Sequence, residues 1–106
     1  MDTPSYRASL VLRALYGEYC RALDAGEDAP EFFGGLAAVQ RLVPAAAPQK
    51  LIPALNELHS LGLLRCDYGD DQIEYVSITS AGVQRMRSRF RRLCLQLLSL
   101  LAKAHL

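Results

Sequence analysis

The chain has 106 residues, 51% of them apolar and 22% charged, with a formal net charge of +1. That length suits one domain, residues 1–106, with a single modest core, and the near-neutral total neither selects nor rejects a polyanionic partner. Three cysteines, Cys20, Cys66 and Cys94, are odd in number, form no CxxC pair and lie in apolar surroundings, which excludes a small disulfide scaffold and favours reduced thiols in the cytoplasm.

The distribution of charge says more than its sum. Residues 1–74 carry six basic and eleven acidic side chains, a balance of −5, whereas residues 75–106 carry six basic side chains and no acid, a balance of +6. The first residues offer no basic segment before an apolar core, so no signal peptide is expected. The richest apolar run, from Leu93, is broken by Gln96, Ser99 and Lys103 and is shorter than the ~20 residues that span a bilayer, so no membrane span is expected either.

In chain order, Pro4 and Ser5 open a helical pattern over residues 4–25, with Tyr6, Leu10, Leu15, Tyr19 and Leu23 near the helical period and Gly26 as its stop. Asp28, Pro30 and Glu31 then suit a helix start, and a second helix is predicted over 30–43. Inside it, Gly34-Gly35 leaves two alternatives: a turn with the helix starting there, or close packing against another helix, the account we favour. A proline-bounded linker leads to a short third helix over 50–61, with Leu51, Leu55, Leu58 and Leu61 on one face. Pro53 requires that this helix begin near Lys50 or Leu51. A hairpin over 63–78 turns at Gly69-Asp70-Asp71, with Leu64, Cys66 and Tyr68 alternating on one strand and Val76 and Ile78 on the other.

Thr79 or Ser80 caps a last helix over 80–104. Its residues Val83, Met86, Phe90, Leu93, Leu97, Leu100 and Ala104 alternate in steps of three and four, a heptad stripe that Cys94, Leu98 and Leu101 widen. A helix of that length runs about 37 Å, longer than so small a domain is wide on most axes. A homodimer seam is therefore expected at Val83, Met86, Phe90, Leu93, Leu97, Leu100 and Leu101. On the same helix Arg85, Arg89 and Arg92 share one flank, and Arg87 and Arg91 another.

The order helix, helix, helix, hairpin, long helix resembles the winged helix-turn-helix regulators, the MarR-like and PadR-like groups in particular. "LNELHSLGLL" matches the end of their recognition helix at Leu55, Leu58, Gly62, Leu63 and Leu64, and "ITSAG", Ile78 to Gly82, matches their entry into the last helix. The resemblance covers residues from Phe32 onward. It implies a mainly α fold with a small β-hairpin, a winged helix-turn-helix with a long C-terminal dimerisation helix. It also implies duplex DNA as partner, with bases read by the exposed start of the third helix. Carried over position by position, the contacts are Gln49, Lys50, Asn56 and His59, with Arg65 from the wing; Ile52 and Pro53 share that face but are odd contacts.

Against this, the wing carries Asp67, Asp70, Asp71 and Glu74 where phosphate-binding cations are usual, although Arg85 and Arg89, placed near its base, would offset some of that charge. The competing reading is a protein-protein interaction or self-assembly module that meets partners through the acidic wing. No cofactor, metal or enzyme is expected: His59 and His105 have no ligand spacing with the cysteines, and no Ser-His-acid set or phosphate-cradling glycine loop is present. Tyr6, Tyr16, Tyr19 and Phe33 are candidates to line an effector pocket, with packing as their simpler role.

Overall fold

Ser5 starts the first helix by accepting the Ala8 N–H on its hydroxyl at 3.2 Å, an N-cap that satisfies one of the orphan donors of the first turn. In the computed structural model, which describes residues 3–70 and 72–89, this helix, α1, runs Tyr6–Asp24. It buries Ala8, Val11, Leu12, Leu15 and Ala22. The apolar stripe read from the sequence is rotated by this choice: Tyr6, Leu10 and Leu23 stand 81%, 42% and 51% exposed.

The second predicted helix is shorter than 30–43. Phe32–Gly34 is a strand, β1, and the helix α2 covers only Leu36–Leu42, with Gly35 as its N-cap residue. Gly34 takes φ +99°, a left-handed conformation that side chains rarely adopt, and this breaks any helix begun at Pro30. Gly35 is also needed small, since a Cβ there would lie 3.2 Å from the Glu74 carbonyl oxygen. Both accounts of the glycine pair hold in part, but the close neighbour is a strand rather than a helix.

Helix α3 runs Pro48–Ser60, starting two residues before the predicted Lys50 because Pro48 occupies the first turn, where its missing N–H is not needed. Pro53 therefore sits inside the helix, contrary to the expectation that the helix would begin so as to avoid it. It lies on the exposed side, where water can reach the Gln49 carbonyl that loses its helical donor. Strands β2 (Leu64–Tyr68) and β3 (Ile73–Ile78) form the hairpin, closed by Gly69 N–H donating to the Gln72 carbonyl at 2.8 Å. The sheet is three-stranded and antiparallel in the order β1-β3-β2, one strand more than the sequence suggested. Leu64 and Cys66 face inward as expected, but the register shifts between Asp67 and Tyr68, and Tyr68 leaves the core at 53% exposure.

Thr79 caps the last helix, α4, which is helical from 80 to 89. Its hydroxyl accepts the Gly82 N–H at 3.1 Å and donates to the Gly62 carbonyl at 2.6 Å, tying α4 to the end of α3. Met86 is 7% exposed in the chain's own core and Val83 packs against that core, so these two seam positions serve the fold. Phe90, Leu93, Leu97, Leu100 and Leu101, like Asp71 in the hairpin, lie outside the described residues. Among the described residues the fold is thus mixed, four helices on a small sheet, around a core of Leu12, Leu15, Val39, Leu51, Leu55, Leu58, Leu64 and Val76. No helix among them is long and apolar enough to cross a membrane.

Gly82 tests this junction. A Cβ there would lie 2.2 Å from the Leu63 carbonyl oxygen and 2.9 Å from Ile78 Cγ1, so backbone has to move. Gly82→Ala is expected to destabilise the chain by about 1–3 kcal/mol despite its better helix propensity, read as a lowered urea midpoint.

Candidate functional site

With Leu51, Ala54, Leu55 and Leu58 turned inward, α3 exposes Gln49, Lys50, Ile52, Pro53, Asn56, His59 and Ser60. Gln49 and Lys50 stand in its first turn. Asn56 and His59, two turns on, are held by β2. Tyr68 Oη donates to Asn56 Oδ1 at 2.5 Å, and the Cys66 N–H donates to His59 Nδ1 at 3.1 Å. The Tyr68 ring meets His59 edge-on, with centroids 5.6 Å apart and planes at 80°. An Nδ1 that accepts from an N–H places the imidazole proton on Nε2. Asn56 thus keeps its Nδ2 amide hydrogens, and His59 its Nε2–H, as donors on the exposed face. Tyr68 keeps the α3 side of the sheet with Leu64 and Cys66, but at the end of β2 it stands beyond the core, where its hydroxyl meets Asn56.

Arg65 is not brought to this face. Its neighbours Leu64 and Cys66 turn inward under α3, where Cys66 Sγ–H points at the Leu55 carbonyl 3.8 Å away, so Arg65 lies on the other side of the sheet. There its Nε donates to Asp67 Oδ1 at 3.3 Å, an exposed pair of little energetic weight. Arg85 and Arg89 also differ from expectation. They face the N-terminal half of α1 rather than the base of the hairpin, lining with Arg13, Tyr6, Ser9 and Leu10 a cleft of about 470 Å³. Arg87, on the other flank, lies on the Tyr16 side, where its charge partly offsets the rise that burial gives the Tyr16 phenol. Leu10 is shared with a neighbouring cleft of about 320 Å³, lined among others by Arg7, Val43, Ala45 and Lys50.

The two clefts meet at Leu10 and between them carry five cations, Lys50, Arg7, Arg13, Arg85 and Arg89; among the described residues no acidic side chain lines either. Arg7 and Arg13 were missed in the sequence. A signal existed: from Tyr6 to Gly17, α1 carries both arginines and no acid. The acids of α1, Glu18 and Asp24, come later, and Arg21 engages Glu18 at 2.6 Å and Glu27 at 2.9 Å. Tyr6, Tyr16, Tyr19 and Phe33 do not gather round one pocket. Tyr16 stacks with Tyr19 at 6.1 Å, Phe33 packs against the core, and Tyr6 lines the cation cleft.

Burial pushes the Cys66 thiol up, the Asp67 charge adds to the rise, and the neighbouring Tyr68 hydroxyl partly opposes it. Burial also raises the Tyr68 phenol, with Cys66 contributing. Comparison of the chain with family models, with curated proteins and with solved structures finds no match.

The Cys66 shift has a sign that can be measured. An unfolded thiol ionises near ~8.5, while the folded thiol holds its proton to higher pH. The stabilisation is complete below the unfolded value and is lost as pH climbs from there towards the folded one. The stability difference between the wild type and Cys66→Ala, followed by urea unfolding, is expected to be flat up to about pH 8 and to shrink above it.

Proposed function

We propose that the chain is a winged-helix regulator that binds duplex DNA through α3, the reading that the order of elements and the three-stranded sheet support. The observation that carries it is the pair of donors, Asn56 Nδ2 and His59 Nε2–H, held in place on the exposed face of α3 by Tyr68 and by the Cys66 backbone. Base edges in the major groove present acceptors at guanine O6 and N7, adenine N7 and thymine O4, so fixed donors on a helix are what reads them. Preorganised side chains also lose less rotamer freedom on binding than mobile ones. Gln49 and Lys50 add donors in the first turn, and Lys50 is the cation of this face. Dimerisation belongs to the same reading: the last helix, with its heptad stripe continuing past Met86, pairs two chains and sets the spacing of two half-sites.

A second reading rests on a different surface. Phe32 and Tyr75 meet edge-to-face with centroids 5.6 Å apart, both well exposed, on the sheet whose hairpin carries Asp67, Asp70 and Glu74. An acidic, aromatic face of this kind suits a basic protein segment, and it favours an interaction or self-assembly module.

Selection from a random duplex library at low salt, followed by titration of the winning site, separates the two. Asn56→Ala is expected to weaken the selected site by roughly 10–100-fold while leaving non-sequence-specific binding unchanged. Tyr68→Phe keeps the ring and releases Asn56, so it should lose part of the same discrimination. A folded protein that binds no duplex at low salt sinks the regulator reading. Loss of a captured partner in Tyr75→Ala and Asp70→Lys would then support the second.

A further inference from the structure

We infer that the phosphate backbone of the bound duplex is gripped by the cation band across α1 and α4, and that the hairpin is not the phosphate clamp; this rests on the DNA-binding reading above. The hairpin is unsuited to phosphate by its charge. Asp67, Asp70 and Glu74 lie on it, and its one cation, Arg65, is paired with Asp67 on the far side of the sheet from α3. A phosphate strand laid there would meet net negative charge at close range, in the term that supplies most non-specific affinity.

On the other flank of α3 the signs are reversed. The N-terminus of α1 is pinned against α3, because Ser5 N–H and Ser5 Oγ donate to the two carboxylate oxygens of Glu57 at 2.5 and 2.9 Å. That contact engages the one acid of α3 with the Ser5 cap and not with the cations beside it. From Lys50 at the start of α3 the band passes through Arg7 and Leu10 of α1 to Arg13, Arg85 and Arg89. Packed helices lie about 8–10 Å apart, and the major groove is about 12 Å wide. With α3 in the groove, the strand that borders it on this side runs over the N-terminal half of α1. The cleft offers what a phosphodiester needs: three guanidinium groups with the hydroxyls of Thr3, Tyr6 and Ser9 between them. The phosphate grip is thus expected on the α1 side of α3, with the bases read from its exposed face.

The slope of log K against log salt counts the phosphates neutralised, at about 0.9 per contact. Using the full chain and the selected duplex, Arg7→Ala/Arg13→Ala/Arg85→Ala is expected to flatten that slope by about 2–3, with weaker binding to every sequence alike. The lysine version of the same triple variant keeps the charges and should keep the slope, which separates lost contacts from a damaged fold. Arg87→Ala, which lines neither cleft, should leave the slope unchanged, and Asp67→Asn/Asp70→Asn should alter affinity by less than about 3-fold. An alanine triple variant with the wild-type slope overturns the inference while the DNA reading stands. So does a marked gain in affinity or slope on neutralising the hairpin acids, which would place phosphate there. A wild type that binds no duplex overturns both.

Discussion

Everything in this fold depends on burying Leu51, Leu55 and Leu58. All three are fully inaccessible, on one side of a helix that has no independent reason to exist. Thirteen residues with prolines at 48 and 53 make a poor helix in isolation, where even good formers are marginal at that length. Each buried leucine contributes about 1.5–3 kcal/mol, so the stripe outweighs a proline defect of about 3 kcal/mol. The defect is tolerable only on the solvent side, and that is where Pro53 lies. Fixing the inner face also fixes the outer one. Once the leucines point inward, the helical period leaves Gln49, Asn56 and His59 no other place to stand.

The last turn of the same helix is held on two sides by polar contacts that apolar packing could not supply. At one flank Glu57 grips the Ser5 cap of α1. At the C-terminal end the Gly62 carbonyl receives the Thr79 hydroxyl, and the Leu63 carbonyl receives the Thr79 N–H at 3.3 Å. Gly82 then packs against that same carbonyl, so α3, the hairpin and α4 meet at one small junction. Rigidity at this junction and at the Tyr68–Asn56 bond matters for function as well as stability. On the proposed DNA-binding reading, a helix that shifted against its hairpin would present its donors in many positions and recognise no base well.

Much of this was legible in the sequence because it is written in apolar spacing. The leucine stripe, the hairpin, the Thr79 cap and the start of the last helix follow from periods and turn residues, and the structure keeps them. What escaped was set by contacts distant along the chain. Phe32 and Phe33 read as helix until Phe32 pairs with Ser77, forty-five positions on. Tyr68 read as core because strict alternation says so; it keeps that side of the sheet, but at the end of β2 it packs beside His59, outside the core. Arg7 and Arg13 carry no local pattern that sets them apart. Their meaning depends on Lys50, Arg85 and Arg89 arriving beside them, which no local pattern encodes.

The charge segregation first seen as an acidic body and a basic last helix takes a different form in space. Cations from the first helix, the third and the fourth share one side, while Asp67, Asp70 and Glu74 cluster on the hairpin. A near-neutral total thus hides a dipole across α3. Such a dipole does little for stability, because exposed charges separated by more than about 8–10 Å are largely screened at physiological salt. It acts on orientation instead. A polyanion such as the proposed duplex would be drawn to one flank of α3 and repelled from the other, so the field would bias its docking angle. Hairpin acids that look like an obstacle to DNA binding then have a use. On the proposed DNA-binding reading they would disfavour a pose that lays the duplex evenly over both flanks of α3.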